Sequence, residues 1–352
     1  MESRGPIYRL PPVTQNAVFL AKDVTETVDW GLRQFGVPDQ WSRTMGAGVK
    51  VAILDTGIDD KHPDLAGSIV AMQNFSRSPF GAIDRNGHGT HCAGIVAARK
   101  NGLGVIGVAP EVSLAIGKVL GDDGSGYDVD IARGIRWAID QKVDVISGSF
   151  GSPVPSPAQQ AAIDSATAAG IFVIIAAGND GQPDSVGYPG KLPNVVAVAA
   201  TDQNGNLADF SSRGPEVDIA APGVDILSTW PGGRYSSLSG TSMATPFVSG
   251  VVALMVAHHR APGAHNTDLR TVDDLLDHLK RTARDAGQAG RDDGFGWGLI
   301  DPAKLLAEDT AAPAPSPTPA PAVPWSGRSI PLPNGAVIHF PAKPGDQASL
   351  KW

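Results

Sequence analysis

The chain has 352 residues, room for one large α/β domain and something smaller, or for two medium domains. Its 42% hydrophobic and 18% charged content suits a sizeable buried core, and a net charge of −8 without any run of Lys and Arg argues against nucleic acid or an anionic membrane as a partner. The single cysteine, Cys92, excludes an intrachain disulfide and fits a reducing compartment.

Residues 1–25 are polar and proline-containing, with no period that predicts a helix or strand. The first twenty residues lack the apolar core and small-residue cleavage site of a secretory leader, so with Met1 as the natural start the expected location is the cytoplasm. No apolar run reads as long enough to cross a bilayer. From residue 49 onward, short apolar runs predict strands over 49–54, 68–74, 112–120, 143–147, 171–177 and 195–200. Helical patterns fall at 90–98, 129–141, 158–169 and 243–259. Strand and helix alternating in this way predict an α/β fold, a doubly wound, mostly parallel sheet with helices on both faces. Functional groups then gather at the carboxyl ends of strands, where Asp55 and Asn179 fall. The pattern ends near residue 306. A Pro/Ala-rich linker spans 309–324, and the tail, 325–352, contains an Asn334–Gly335 pair suited to a hairpin turn. The expected organisation is therefore an extension (1–25), a main domain (26–308), the linker and the tail.

Four stretches carry candidate chemistry. In SGTSMATPFVSG, Ser242 is expected at a helix N-terminus with Pro246 in the first helical turn, so backbone N–H groups would surround the hydroxyl. Asp55 opens DTGID, His88 sits in NGHGTHCAG and Asn179 ends IIAAGND. Taken singly, each has an ordinary reading: an N-cap serine, a turn aspartate, a core histidine, an Asx turn. Together they supply a hydroxyl, an imidazole, a carboxylate and an amide, the parts of a nucleophilic acyl-transfer site.

With these four motifs in the order Asp55, His88, Asn179, Ser242, the chain resembles the subtilisin-like serine proteases over residues 26–306, and its short extension resembles that of the intracellular subtilisins. The resemblance implies a serine endopeptidase acting on protein and peptide substrates through an acyl-enzyme. Ser242 would be the nucleophile, His88 the general base and Asp55 its orienting partner, with Asn179 and the Ser242 N–H as oxyanion donors. It implies further that Leu120 with Gly124, Ser125 and Gly126, and Ser149, Phe150 and Gly151, pair with the substrate backbone. Gly151, Ala177 and Gly178 would wall a primary pocket with Gly187 at its base, suiting large apolar or aromatic P1 side chains. A structural Ca²⁺ is implied at Asp64 and Asn101, with the carbonyls of Arg99, Leu103 and Val105 and a ligand from Glu26. Residues Tyr8–Arg9–Leu10–Pro11–Pro12 resemble a segment that lies across the active site and inhibits it.

The chain departs from the family at Phe247 (usually histidine), at SGSFGS from Ser147, at Tyr127 (one place early for the aromatic that walls the P4 pocket) and in a short Asn179–Tyr188 loop. Cys92, four residues after His88, reads as a small core residue beside the triad, reachable by mercurials. Gly102, Gly104 and Gly107 spell G-x-G-x-x-G, but after a helix and before a strand, the wrong order for a dinucleotide site. Two rivals stand beside the peptidase: a catalytically silent peptide-binding homologue, and an α/β-hydrolase esterase, whose G-x-S-x-G elbow is broken by Ala244.

Overall fold

The computed structural model describes residues 5–20, 25–261, 269–307, 329–331, 337–339 and 349–351. The chain divides into two compact units, Met1–Glu308 and Asp309–Trp352. In the first, β1 (Ile7–Arg9) and β2 (Thr14–Leu20) form where the sequence shows no period. The short helices α1 (Trp30–Gln34) and α2 (Val37–Gln40) precede the alternating region. That region comprises β3 (Lys50–Asp55), β4 (Ile69–Asn74), α3 (His88–Ala97), β5 (Ser113–Lys118), β6 (Ser125–Tyr127), α4 (Asp128–Asp140), β7 (Val145–Gly148), α5 (Pro157–Ala168), β8 (Phe172–Ala176), β9 (Val196–Thr201) and β10 (Ile219–Pro222). β11 (Ile226–Trp230), β12 (Arg234–Ser239), α6 (Thr241–His259), α7 (Val272–Thr282) and α8 (Pro302–Leu305) complete it.

Seven strands make one all-parallel sheet in the order β10-β9-β8-β7-β3-β5-β4. The strands are near-continuous Val, Ile and Ala because helices cover both faces. In β3, Val51 and Ile53 pack with Cys92 and Val96 of α3 and Val248 and Val251 of α6. The alternate residues Ala52 and Leu54 pack with Ile131 and Ile135 of α4 and Ile163 of α5. From β3 the strand order runs both ways, so the carboxyl end of β3, which is Asp55, lies at the switch point where α/β sheets open a crevice.

One expectation is corrected by α6. Its 19 residues have the length and mean hydropathy (1.4) of a membrane-crossing helix, yet 89% of that stretch is buried within the protein. Layers on every side of a central helix demand the same apolar composition as a bilayer. In the second unit, β13 (Ser329–Pro331), β14 (Val337–His339) and β15 (Ser349–Lys351) form an antiparallel sheet in that order. The expected Asn334–Gly335 turn lies outside the described residues.

Candidate active site

Asp55 and His88 meet at the end of the sheet. His88 opens α3, and its Nδ1 lies 2.8 and 2.9 Å from the two Asp55 carboxylate oxygens. Asp55 is held in turn by the Thr56 N–H at 2.7 Å. The helix starts at this point because Gly87, with φ 109°, takes a left-handed conformation, and a Cβ there would strike the Trp230 ring. Complete burial opposes the imidazolium, but the Asp55 charge, with a smaller contribution from Cys92, raises the His88 pKa well above its ordinary value.

Ser242 is the second residue of α6, after the N-cap Gly240. Pro246 is therefore inside the helix and not in its first turn, a correction with a chemical consequence. A proline at 246 has no N–H for the carbonyl four residues earlier, which is that of Ser242 itself. Two side chains take over this carbonyl: the Ser149 hydroxyl donates at 3.1 Å and the Cys92 thiol at 3.4 Å. Cys92 Sγ also lies 3.7 Å from His88 Nδ1, and burial pushes its thiol pKa up. Ser242 Oγ and His88 Nε2 are both buried, and among the described residues neither atom makes a hydrogen bond, to the other or to any further group.

Asn179 follows β8 through Gly178, whose φ of 114° again favours glycine. Its Oδ1 accepts from the Thr241 N–H (2.9 Å) and hydroxyl (2.7 Å), which orients Nδ2 away from Thr241. Nδ2 donates to the carbonyl of Pro12 at 2.7 Å. The N-terminal segment thus lies across the site. β1 pairs antiparallel with β6, Ile7 opposite Tyr127 and Arg9 opposite Ser125. Arg9 also exchanges both main-chain bonds with Gly151, at 2.9 and 3.0 Å, and the Leu10 N–H reaches Gly124 O at 3.1 Å. Tyr8 is wholly buried, edge-on to Phe150 with ring centroids 6.3 Å apart, its hydroxyl donating to Val154 O at 3.1 Å.

Most of the expected substrate-binding residues therefore border one groove. Gly124, Ser125, Gly126 and Gly151 present main chain to the segment; Phe150 presents its ring. Leu120 lies beneath the edge, fully buried, its N–H on Asp55 O. Gly151–Ser152 and Gly187–Tyr188 are joined by the Ser152–Tyr188 pair of main-chain bonds, and Gly187 N–H donates to Ala177 O at 3.2 Å. Tyr127 does not wall the Tyr8 site; it pairs with Ile7 and carries Arg77 over its ring. Phe247 packs on Phe35 in the core.

The expected metal residues also gather. Asp64 is fully buried, its Oδ1 3.4 Å from Asn101 Nδ2, its Oδ2 accepting the Val105 N–H at 2.9 Å and its carbonyl the Arg99 N–H at 2.7 Å. Asn101 Oδ1 accepts the Leu103 N–H, and Glu26 accepts the Gly102 N–H at 2.7 Å. Bridges Thr25–Leu103 and Thr27–Val105 bring Glu26 to the loop.

Two supporting residues escape the motif reading. Buried Asp84 accepts the Thr56 and Thr90 hydroxyls and the N–H groups of Asn86, Gly87 and Thr90, tying the Asp55 turn to the start of α3. Buried Lys118 donates to Thr56 O and pairs with Asp122 at 2.9 Å. A lone lysine closing an apolar strand, and an aspartate before N-G-H-G-T, were the available signals.

A carboxylate–imidazole pair beside a buried serine, at the carboxyl edge of a parallel sheet and along a groove that pairs with extended chain, defines a hydrolase of the serine class that works on polypeptides. The profile of the subtilase family matches residues 46–298. The chain is 44% identical over 277 residues to Subtilisin BL of Lederbergia lenta, covering 78% of this chain and 97% of that protein. It is 44% identical over 279 residues to M-protease of Shouchella clausii strain KSM-K16 (79% and 70% covered). It is 45% identical over 260 residues to an intracellular serine protease of Paenibacillus polymyxa (72% and 79% covered). The chain belongs to the subtilase family and is a serine-type endopeptidase acting on proteins or peptides.

Proposed function

We propose that Ser242 is the nucleophile of this peptidase and that residues 5–20 are its built-in inhibitor. His88 takes the Ser242 proton as the hydroxyl attacks, then returns it to the leaving amine. Asp55 holds Nδ1 protonated so that Nε2 faces the hydroxyl, and Asn179 with the Ser242 N–H stabilises the oxyanion. The observation that carries this reading is the bond from Asn179 Nδ2 to the Pro12 carbonyl. An amide of the kind that stabilises an oxyanion holds a main-chain carbonyl of the protein's own chain, in a groove where that chain pairs as a substrate would. Pro11 and Pro12 offer no N–H to fix the peptide in register, and Ser242 Oγ is not engaged with His88. Both features keep the segment bound but uncut.

The test is to cut the full chain after Leu20 and follow peptide hydrolysis and fluorophosphonate labelling. Both should rise sharply after the cut, with the label on Ser242. Equal reactivity before and after refutes the inhibitor; no labelling in either form makes the protein a silent peptide-binding homologue.

Glycine and alanine at Gly151, Ala177, Gly178 and Gly187 support an uncharged primary pocket that takes large apolar or aromatic P1 side chains. Equal cleavage of a Phe-P1 and an Asp-P1 peptide would refute this. Oxygen-bearing side chains at Asp64, Asn101 and Glu26 around one loop support a structural Ca²⁺, whose hard charge suits carboxylate, amide and carbonyl donors, here with Arg99, Leu103 and Val105 supplying the carbonyls. The likeness to an intracellular serine protease supports a cytoplasmic location, testable by fractionation of the native host.

A further inference from the structure

Lys118 is a buried charge that the acyl-transfer chemistry does not use. It closes β5, opposite Asp55 in the parallel pairing of β3 with β5, and is 0% exposed. Lysine is almost never buried whole unless it is paired, because the ammonium gives up its hydration. Here Nζ donates to the carbonyl of Thr56, one residue past Asp55, and pairs with Asp122 Oδ1 at 2.9 Å. A buried ion pair seldom adds stability over apolar packing, so what this pair joins matters more than its strength.

It joins the two halves of the site. As far as Leu120 the chain is tied to the triad directly, since the Asp55 carbonyl accepts the N–H groups of Val119 and Leu120 at 3.0 and 3.1 Å. Beyond Leu120 it leaves the sheet in a turn closed by the Gly124 N–H on Gly121 O. This turn presents the Gly124 carbonyl, which accepts the Leu10 N–H of the docked segment at 3.1 Å, and it leads into β6, the partner of β1. Asp122 ties the turn back at three atoms: Oδ1 to Lys118, Oδ2 to the Ser78 hydroxyl at 3.0 Å, and its carbonyl to Asn86 Nδ2 at 3.3 Å. Asn86 Oδ1 in turn accepts the His88 N–H at 3.3 Å. The contacts close a ring through Asp55, Thr56, Lys118, Asp122, Asn86 and His88.

We infer that Lys118 and Asp122 are positioning residues for peptide hydrolysis. The pair fixes the span between the edge that holds a substrate's main chain and the Asp55–His88 turn, and so sets the scissile carbonyl against Ser242 and the imidazole. A misplacement of about 1 Å costs up to about a hundredfold in rate without weakening binding, because orientation alone is spoiled. The substrates affected are those long enough to give an N–H to Gly124 O; a single acylated residue escapes. This inference rests on reading residues 5–20 as a substrate-like occupant and Ser242 as the nucleophile.

The test uses the full chain with a site-specific protease sequence in place of residues 21–24, folded intact and then cut. Two fluorogenic amides share the residue before the scissile bond; one carries four residues there, the other a single N-acetylated residue. In Lys118→Met and in Asp122→Ala, kcat should fall about tenfold or more further on the long amide than on the short one, with KM for the long amide within about twofold of the parent. Asp122→Ala leaves a buried ammonium unpaired and should lower the melting temperature, whereas Lys118→Met/Asp122→Ala removes both charges and should restore it. The double variant should nevertheless keep the low kcat on the long amide, and it supplies the comparison where a single variant does not fold. Equal losses on the two amides, or a double variant that regains kcat together with its melting temperature, overturn this inference and leave the inhibitor standing. A cut parent without activity overturns the reading it rests on, and both fall.

Discussion

Tyr8 is the point at which the proposed inhibitory role of the N-terminal segment is most open to a quantitative test. Its side chain is wholly buried against Phe150, and its hydroxyl is bonded to Val154 O. Truncating a buried aromatic to alanine costs on the order of 3–5 kcal/mol. Even about 3 kcal/mol, at 1.4 kcal/mol per decade, shifts the docked–undocked equilibrium of the segment roughly 150-fold. Tyr8→Phe loses only the hydroxyl bond, about 1 kcal/mol or roughly fivefold. Activity of the uncut protein measures the undocked fraction. Initial rates on a fluorogenic peptide, normalised to the rate after cutting at Leu20, should therefore rise from the parent through Tyr8→Phe to Tyr8→Ala. The rise in Tyr8→Ala should approach two decades unless the cut-enzyme rate is reached first. If Tyr8→Ala is as slow as the parent while cutting activates both, side-chain docking of Tyr8 is not what closes the cleft.

Replacing Asn179 by Ala should lower kcat of the cut enzyme by about 10²–10³ with little change in KM, the size known in this family for one oxyanion donor; a change confined to KM would contradict the role. Burial lowers the His91 pKa to about 3 and raises that of Asp218 to about 7. The His91 contribution to stability is full above pH 6.5 and is lost as pH falls toward 3, whereas the Asp218 contribution is full below pH 3.8 and is lost as pH rises through 7. Between about pH 4 and 6.5 the two slopes oppose each other, each about 1.4 kcal/mol per pH unit. Asp218→Asn should therefore lose stability on acidification faster than the parent, and His91→Gln more slowly; chemical denaturation at several pH values reads the slopes, and parallel curves would refute the assignment. A mercurial should inactivate the cut enzyme through Cys92, which touches both His88 and the Ser242 carbonyl, and Cys92→Ala should resist it; unchanged activity in the parent would count against the placement. Chelation by EGTA should lower the melting temperature of the parent but not of Asp64→Ala, and an insensitive parent would refute the calcium site.

Much of this protein is legible along the chain. Apolar runs place the six strands β3, β4, β5, β7, β8 and β9 to within a few residues, because strands covered on both faces, as the inner five are, must be largely apolar, and the half-buried edge strand β4 still opens on an apolar run. Asp55, His88, Asn179 and Ser242 stand out because a site at strand ends needs glycine beside each functional side chain. What the pattern conceals is anything that depends on a distant partner. Apart from the buried Tyr8, β1 and β2 carry mostly exposed, unpatterned side chains, since main-chain pairing to β6 and β12 forms them, and main chain leaves no mark on sequence. Asp84 and Lys118 look like surface charges until the Asp55 turn is folded against them. Pro246 reads as a first-turn proline; only the start of α6 at Thr241 shows that it frees the carbonyl of Ser242 for Ser149 and Cys92. Local sequence determined the elements and the chemical groups, whose signals lie within a turn or a strand. Tertiary structure alone decided that the N-terminal segment crosses Asn179 beside a buried Ser242 and His88, because its docking rests on bonds such as Asn179 Nδ2 to Pro12 O, between residues more than a hundred positions apart.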